Sequence, residues 1–247
     1  MHDPYPRKGK GNRMIDYRHG DTVLEGYLVW DETAKGTRPG VLVVHEWYGL
    51  NDYAKSRADQ LAELGYVAFA VDMYGKGVRA KNPEEAARLA GIYKNDRALM
   101  RKRVRAGLDW LQNHQLVDPK RMAAIGYCFG GSTVLELARS GADVAGVVSF
   151  HGNLDTPNTE EAKSIKTKVL VLHGADDPIV PPRQVHAFQE EMRQGGVDWQ
   201  MVFYGGTVHS FTNPASGSDA SSGVAYNANA DRRSWEAMKS FFFEIFG

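Results

Sequence analysis

The stretch Met122-Ala123-Ala124-Ile125-Gly126-Tyr127-Cys128-Phe129-Gly130-Gly131-Ser132-Thr133-Val134-Leu135-Glu136-Leu137-Ala138 decides the fold. Its first four residues form an apolar run suited to a buried strand, and from Ser132 onward the pattern reads as a helix. Between them lies Gly-x-Cys-x-Gly, a strand-to-helix turn with a nucleophile at its tip and sulfur where serine oxygen is more usual. Glycine on either side of the cysteine suits a turn too tight for side chains, and the nucleophile's own backbone is expected to be strained. The first N–H groups of the helix, and the positive end of its dipole, face the sulfur and favour its thiolate. Cys128 is the only cysteine in the chain. An internal disulfide is therefore excluded, and a reducing compartment is expected.

Working outward, apolar runs at residues 23–30, 41–44, 67–71, 144–150, 169–172 and 199–204 alternate with helical patterns at 52–64, 83–95, 96–115, 182–194 and 230–246. Continuous apolar runs suit strands covered on both faces. Their alternation with helices predicts an α/β fold, a mostly parallel central sheet with helices on both faces. Residues 1–13 are polar, basic and rich in proline and glycine, and are expected to form a flexible N-terminal arm; residues 14–247 read as a single domain. Hydrophobic residues make up 43% of the chain, enough for a large core, and 30 Lys plus Arg balance 30 Asp plus Glu. That zero net charge gives no electrostatic footprint for nucleic acid. No apolar stretch approaches the ~18–20 residues that cross a bilayer, and the N-terminus lacks the apolar centre of a signal peptide. The expected partner is thus a small molecule, with no nucleic acid and no membrane. The chain is expected to be a monomer or homodimer in the cytoplasm, although a removed leader would leave no trace in the sequence.

In sheets of this kind the site lies beyond the carboxyl ends of the strands. Two residues there complement Cys128. Asp177 follows the run at 169–172 and is preferred to its neighbour Asp176 because it directly precedes Pro178-Ile179-Val180-Pro181. His209 follows the run at 199–204. The chain order nucleophile, acid, histidine is that of an α/β-hydrolase fold. A thiol gains from a nearby base. Histidine can take its proton and return it to a leaving group, and a carboxylate fixes the imidazole tautomer. His45, His151 and His173 also follow strands; His45 and His173 are read as backbone hydrogen-bond partners near the site. The scatter of the histidines, without a second cysteine, argues against a zinc centre, so no metal is expected. Glu46 and Trp47 follow the run at 41–44, where this fold draws one oxyanion-hole N–H; the residue after the nucleophile supplies the other. The candidate donors are the backbone N–H groups of Trp47 and Phe129.

On these residues the chain resembles the dienelactone hydrolase family of the α/β-hydrolases. The matching pieces are Glu46, Val71-Asp72-Met73-Tyr74, Gly126-Tyr127-Cys128-Phe129-Gly130-Gly131, Asp177 before Pro178, and His209-Ser210-Phe211. The resemblance implies a Cys128-Asp177-His209 triad, no cofactor, and hydrolysis of small esters or lactones through an acyl-enzyme. It also implies that Glu46 modulates the nucleophile, holding the cysteine proton at rest until substrate displaces the carboxylate. Two substrate-gripping arginines of the family fall by motif position on Lys76 and Asn213. Lysine keeps the charge without the bidentate fork, and asparagine loses the charge. Tyr48, Lys76 and Phe211 remain candidate substrate contacts. Trp47, Tyr48, Phe129 and Phe211 are either pocket walls or core aromatics, and residues 212–230 are either a flap or a surface loop. A general carboxylesterase or thioesterase is an alternative within enzymes, and a non-catalytic ligand-binding protein on the same scaffold is an alternative outside them.

Overall fold

The computed structural model describes residues 9–247. Its strands are β1 (Lys10–His19), β2 (Thr22–Asp31), β3 (Arg38–Val44), β4 (Val67–Val71), β5 (Val117–Tyr127), β6 (Gly146–Phe150), β7 (Lys168–Gly174) and β8 (Trp199–Tyr204). Its helices are α1 (Asp52–Glu63), α2 (Pro83–Asn95), α3 (Arg97–Gln112), α4 (Phe129–Arg139), α5 (Pro182–Gly195) and α6 (Ala228–Phe246). The strands form one sheet in the order β1-β2-β4-β3-β5-β6-β7-β8. β1–β2 and β2–β4 pair antiparallel and the remaining pairs are parallel. This is the α/β-hydrolase arrangement expected from the chain order of the motifs.

Every residue of β3, β4 and β6 is buried, which explains their unbroken apolar runs: both faces of the sheet are covered. One face carries Ala54, Ala58 and Leu61 of α1 with Met238, Phe241 and Phe242 of α6. The other carries Tyr93 of α2, Val104 and Leu108 of α3, Val134 and Leu135 of α4, and Phe188 of α5. The helix starts are written locally. Asn51, Asn82, Asp96 and Asn227 each accept a backbone N–H of the first turn, the side-chain cap that satisfies an otherwise orphaned donor. Gly196 closes α5 in the left-handed conformation.

β1 was not anticipated. It occupies Lys10–His19, so residues 10–13 of the expected arm are strand, while residues 1–8 lie outside the described residues. Only Gly11 and Tyr17 of β1 are buried, as suits an edge strand with one solvent face. α4 also starts earlier than the pattern suggested, at Phe129 rather than Ser132, directly after the cysteine. In α6 the expected aromatic stripe does pack inward at Phe241 and Phe242.

Candidate active site

β5 delivers Cys128 to the carboxyl edge of the sheet, next to the ends of β3 and β6. The turn into α4 holds Cys128 at φ 52°, ψ −113°, a conformation that non-glycine residues rarely adopt and that marks functional strain. A Cβ on Gly126 would overlap the Gly130 carbonyl, and one on Gly130 would overlap the carbonyl of Val44 at the end of β3. Both glycines are therefore required by close backbone approach.

Asp177 and His209 leave the ends of β7 and β8 and meet Cys128 in one hydrogen-bonded line. His209 Nδ1 donates to Asp177 Oδ2 at 2.7 Å, and His209 Nε2 lies 3.2 Å from Cys128 Sγ. Asp177 is buried, while Asp176 is exposed. The second oxygen of Asp177 accepts the backbone N–H groups of Ile179 (2.8 Å) and Val180 (3.2 Å), which fixes the carboxylate. Burial alone would lower the basicity of His209. The negative charge of Cys128 and the hydrogen bond to Asp177 outweigh burial and push the imidazole up to about 10. Burial raises the Asp177 carboxyl, but the hydrogen bond and charge of His209 outweigh it and hold the group below the usual carboxylate range.

The loop after β3 is held by its carbonyls. His45 Nδ1 and the Gly49 N–H donate to Glu46 O (2.5 and 3.3 Å), Tyr74 Oη donates to Trp47 O (2.8 Å), and the Ala80 N–H donates to Tyr48 O (3.0 Å). His45 Nε2 accepts the Met73 N–H at 3.2 Å, so its single proton sits on Nδ1. Burial lowers the His45 imidazole, which keeps it in that neutral state. In a trans peptide the N–H points opposite to the carbonyl, so anchoring Glu46 O also fixes the Trp47 N–H. Neither that N–H nor the Phe129 N–H donates to a protein acceptor among the described residues.

Glu46 sits differently from the expectation. Its carboxylate accepts Ser210 Oγ on one oxygen (2.9 Å) and Asn213 Nδ2 on the other (2.5 Å), and the sulfur is engaged by His209 instead. Burial pushes the Glu46 carboxyl up, against those two hydrogen bonds. Asn213, at a position where an arginine was expected by resemblance, is thus a partner of Glu46.

Three expected substrate contacts separate. Tyr48 is half-buried with its ring edge-on to Trp47. Lys76 is exposed, and its ammonium pairs with Asp16 of β1 (2.6 Å) and Glu25 of β2 (3.3 Å), because the turn after β4 directs it back over the antiparallel edge. Phe211 is fully buried against Tyr204 and His151 and is core rather than wall. The Phe129 ring is likewise buried, against His45, Tyr74 and Tyr93, so its backbone alone faces the site. Among the described residues His173 Nδ1 is buried without a hydrogen-bond partner, contrary to the backbone contact expected of it. Residues 212–227 cross behind His209: the His209 N–H donates to Gly223 O and the Ala225 N–H to His209 O, both at 3.1 Å. That tether makes the segment a strap rather than a free flap.

Sequence reasoning passed over His151. It is fully buried at φ 40°, and its ring lies beneath the elbow. Ser210, at φ 60°, was likewise noticed only as part of a motif. Among the described residues no group of three or more His, Cys, Asp or Glu side chains could hold a metal ion, and no helix is long and apolar enough to cross a membrane.

Comparison with known proteins places the chain in a family. Residues 24–246 match the dienelactone hydrolase family. A putative carboxymethylenebutenolidase of Aquifex aeolicus is 26% identical over 235 residues, covering 93% of this chain and 97% of its own. Two solved structures are similar over 97% of this chain and 100% of theirs: a protein named m3DLH, 44% identical with TM-score 0.93, and a dienelactone hydrolase-like promiscuous phosphotriesterase from metagenomic libraries, 45% identical with TM-score 0.92. The chain therefore belongs to the dienelactone hydrolase family and is a hydrolase acting on carboxylic ester or lactone bonds.

Proposed function

We propose that the chain hydrolyses small esters or lactones through an acyl-enzyme on Cys128, with Asp177 and His209 completing a triad. The observation that carries this reading is the unbroken line from Asp177 Oδ2 through His209 to Cys128 Sγ, 2.7 and 3.2 Å per step. His209 Nε2 takes the thiol proton, and the thiolate attacks the carbonyl carbon. The carbonyl oxygen becomes an oxyanion received by the N–H groups of Trp47 and Phe129; such donors are typically worth about 3 kcal/mol each in the transition state. Collapse breaks the carbon–oxygen ester bond, and the departing alkoxide takes the proton from His209, leaving a thioester. Water then gives a proton to His209 and attacks the thioester. Its collapse releases the acid and returns the starting pair. In a lactone the departing alkoxide stays tethered to the acyl group.

Glu46 in this reading shapes the site through its loop, since its oxygens are occupied by Ser210 and Asn213. A second reading, phosphotriester hydrolysis, is favoured by one observation: 45% identity to a promiscuous phosphotriesterase over nearly the whole chain. Two N–H donors can receive a phosphoryl oxygen as readily as a carbonyl oxygen. A panel of p-nitrophenyl carboxylic esters, lactones, thioesters and a diethyl aryl phosphate, run on wild type and Cys128→Ala, separates the readings. The expected result is turnover of carboxylic esters and lactones that falls at least about 10³-fold in Cys128→Ala. Wild-type rates in that variant would overturn the assignment, and a phosphate preferred over every ester would support the second reading.

A further inference from the structure

The Cys128 N–H is shared between two acceptors. One is Phe150 O at 3.0 Å, which extends the β5–β6 ladder. The other is His151 Nδ1 at 3.2 Å. An N–H can only donate, so Nδ1 must be unprotonated and the ring's proton must sit on Nε2. His151 Nε2 lies 2.7 Å from Thr212 Oγ1, to which it therefore donates. Thr212 Oγ1 is in turn hydrogen-bonded to the Tyr53 hydroxyl of α1 at 2.6 Å. Arg57 holds the same corner, donating to Thr212 O (2.7 Å) and to Asp231 of α6 (2.6 Å).

Thr212 lies three residues beyond His209. One imidazole therefore ties the turn that carries the sulfur to the loop that carries its base. Both Cys128 and His151 sit at positive φ, 52° and 40°. Strain of that kind persists only where the surroundings over-determine it, and this bond joins the two strained residues directly. The groups around the ring keep it neutral: burial first, then the positive charge of His209, whose ring stands edge-on at a centroid distance of 5.3 Å, then Arg57. A second proton on Nδ1 would point at the Cys128 N–H and break the tie.

We propose that His151 is a positioning residue, a cross-link that locks the nucleophile turn to the His209 loop and holds Cys128 Sγ within reach of His209 Nε2. The proposal rests on the reading of Cys128 and His209 as nucleophile and base. It goes beyond that reading by assigning the alignment of the pair to a residue outside it.

The test compares His151→Asn, His151→Gly and Thr212→Val. Asparagine and glycine both tolerate positive φ, but only asparagine offers an acceptor near the position of Nδ1. Thr212→Val keeps the shape of Thr212 and removes Oγ1. Each variant is measured for kcat and KM on an ester substrate, for thermal melting, and for the rate of Cys128 alkylation by iodoacetamide, which needs no substrate. Misplacement by about 1 Å at a reacting pair costs on the order of 100-fold. His151→Gly is therefore expected to lose roughly 10- to 100-fold in kcat, with KM little changed and alkylation slowed. His151→Asn keeps an acceptor for the Cys128 N–H but does not reach Thr212 Oγ1, so it is expected to recover part of both rates. Thr212→Val, which keeps the Cys128 end and loses the other, is expected to show a similar partial loss. If His151→Gly does not fold, the contrast between wild type, His151→Asn and Thr212→Val decides. Wild-type alkylation and kcat in Thr212→Val, or equal losses in the asparagine and glycine variants, would overturn the proposal. If the assignment of Cys128 as nucleophile failed, Cys128→Ala would keep its activity, a result separate from the alkylation contrast.

Discussion

His209 and Glu46 show how burial works against itself in this site. Burial alone would make His209 a poorer base, yet the Cys128 charge and the Asp177 hydrogen bond push it up to about 10, well above the ~6.5 of a free imidazole. Its protonated form is therefore retained through neutral pH and lost only as pH rises through that value. The expected kcat/KM profile has an alkaline limb near pH 10, and Asp177→Asn should move this limb toward neutrality and lower kcat by roughly 10³–10⁴-fold. Initial rates from pH 6 to 11 check both. Glu46 is the opposite case, a carboxyl pushed up chiefly by burial. A carboxyl whose folded value lies above its unfolded value costs stability once the unfolded chain ionises, and the cost grows with pH until the folded group ionises too. Glu46→Gln is therefore expected to melt higher than wild type at pH 8, by about 0.5–2 kcal/mol, with the difference vanishing near pH 4. An unchanged gap at the two pH values would show that the charge is not the cause.

At the scale of elements, the site is an agreement among the carboxyl ends of β3, β5, β6, β7 and β8, and it depends on a close backbone approach of α4 to β3. Gly130 allows the first turn of α4 to lie against the Val44 and His45 carbonyls, which brings Phe129 and the loop after β3 together. Gly130→Ala should push the two apart. Overpacking of this kind costs about 1–3 kcal/mol, and separating the two proposed oxyanion donors should lower kcat by roughly 100-fold or more. Melting temperature and kcat measured on the same preparation test whether both losses occur. Much of this level was legible from residues. Continuous apolar runs marked β3, β4 and β6, and β8 was read with its observed limits. β1 was not, because Arg13, Asp16 and Arg18 interrupt it and an edge strand with one wet face carries little apolar signal. Tyr17 reveals its purpose only in three dimensions, by donating its hydroxyl to the Asp72 carbonyl at 2.9 Å.

Across the whole molecule, residues far apart in sequence become neighbours, and this limits what spacing can convey. Cys128, Asp177 and His209 could be read in order because a parallel sheet returns each to the same edge. Lys76 could not be placed, since a turn of a few residues decides whether a side chain faces the site or, as here, Asp16 and Glu25. His151 was visible as a histidine after a strand, but its role depends on contacts to Cys128 and Thr212, 23 and 61 residues away. The strap at residues 212–227 has the composition of an open loop, yet it is bound to the backbone of His209 on both sides. The central claim is that Cys128 carries the acyl group during turnover. Mass spectrometry of the intact chain, quenched in acid during turnover of an activated ester, tests it most directly. The expected result is a mass increase equal to the acyl group, localised to the peptide containing Cys128 and absent in Cys128→Ala. Full turnover in wild type with the adduct on another residue, or an undiminished adduct in Cys128→Ala, would contradict it.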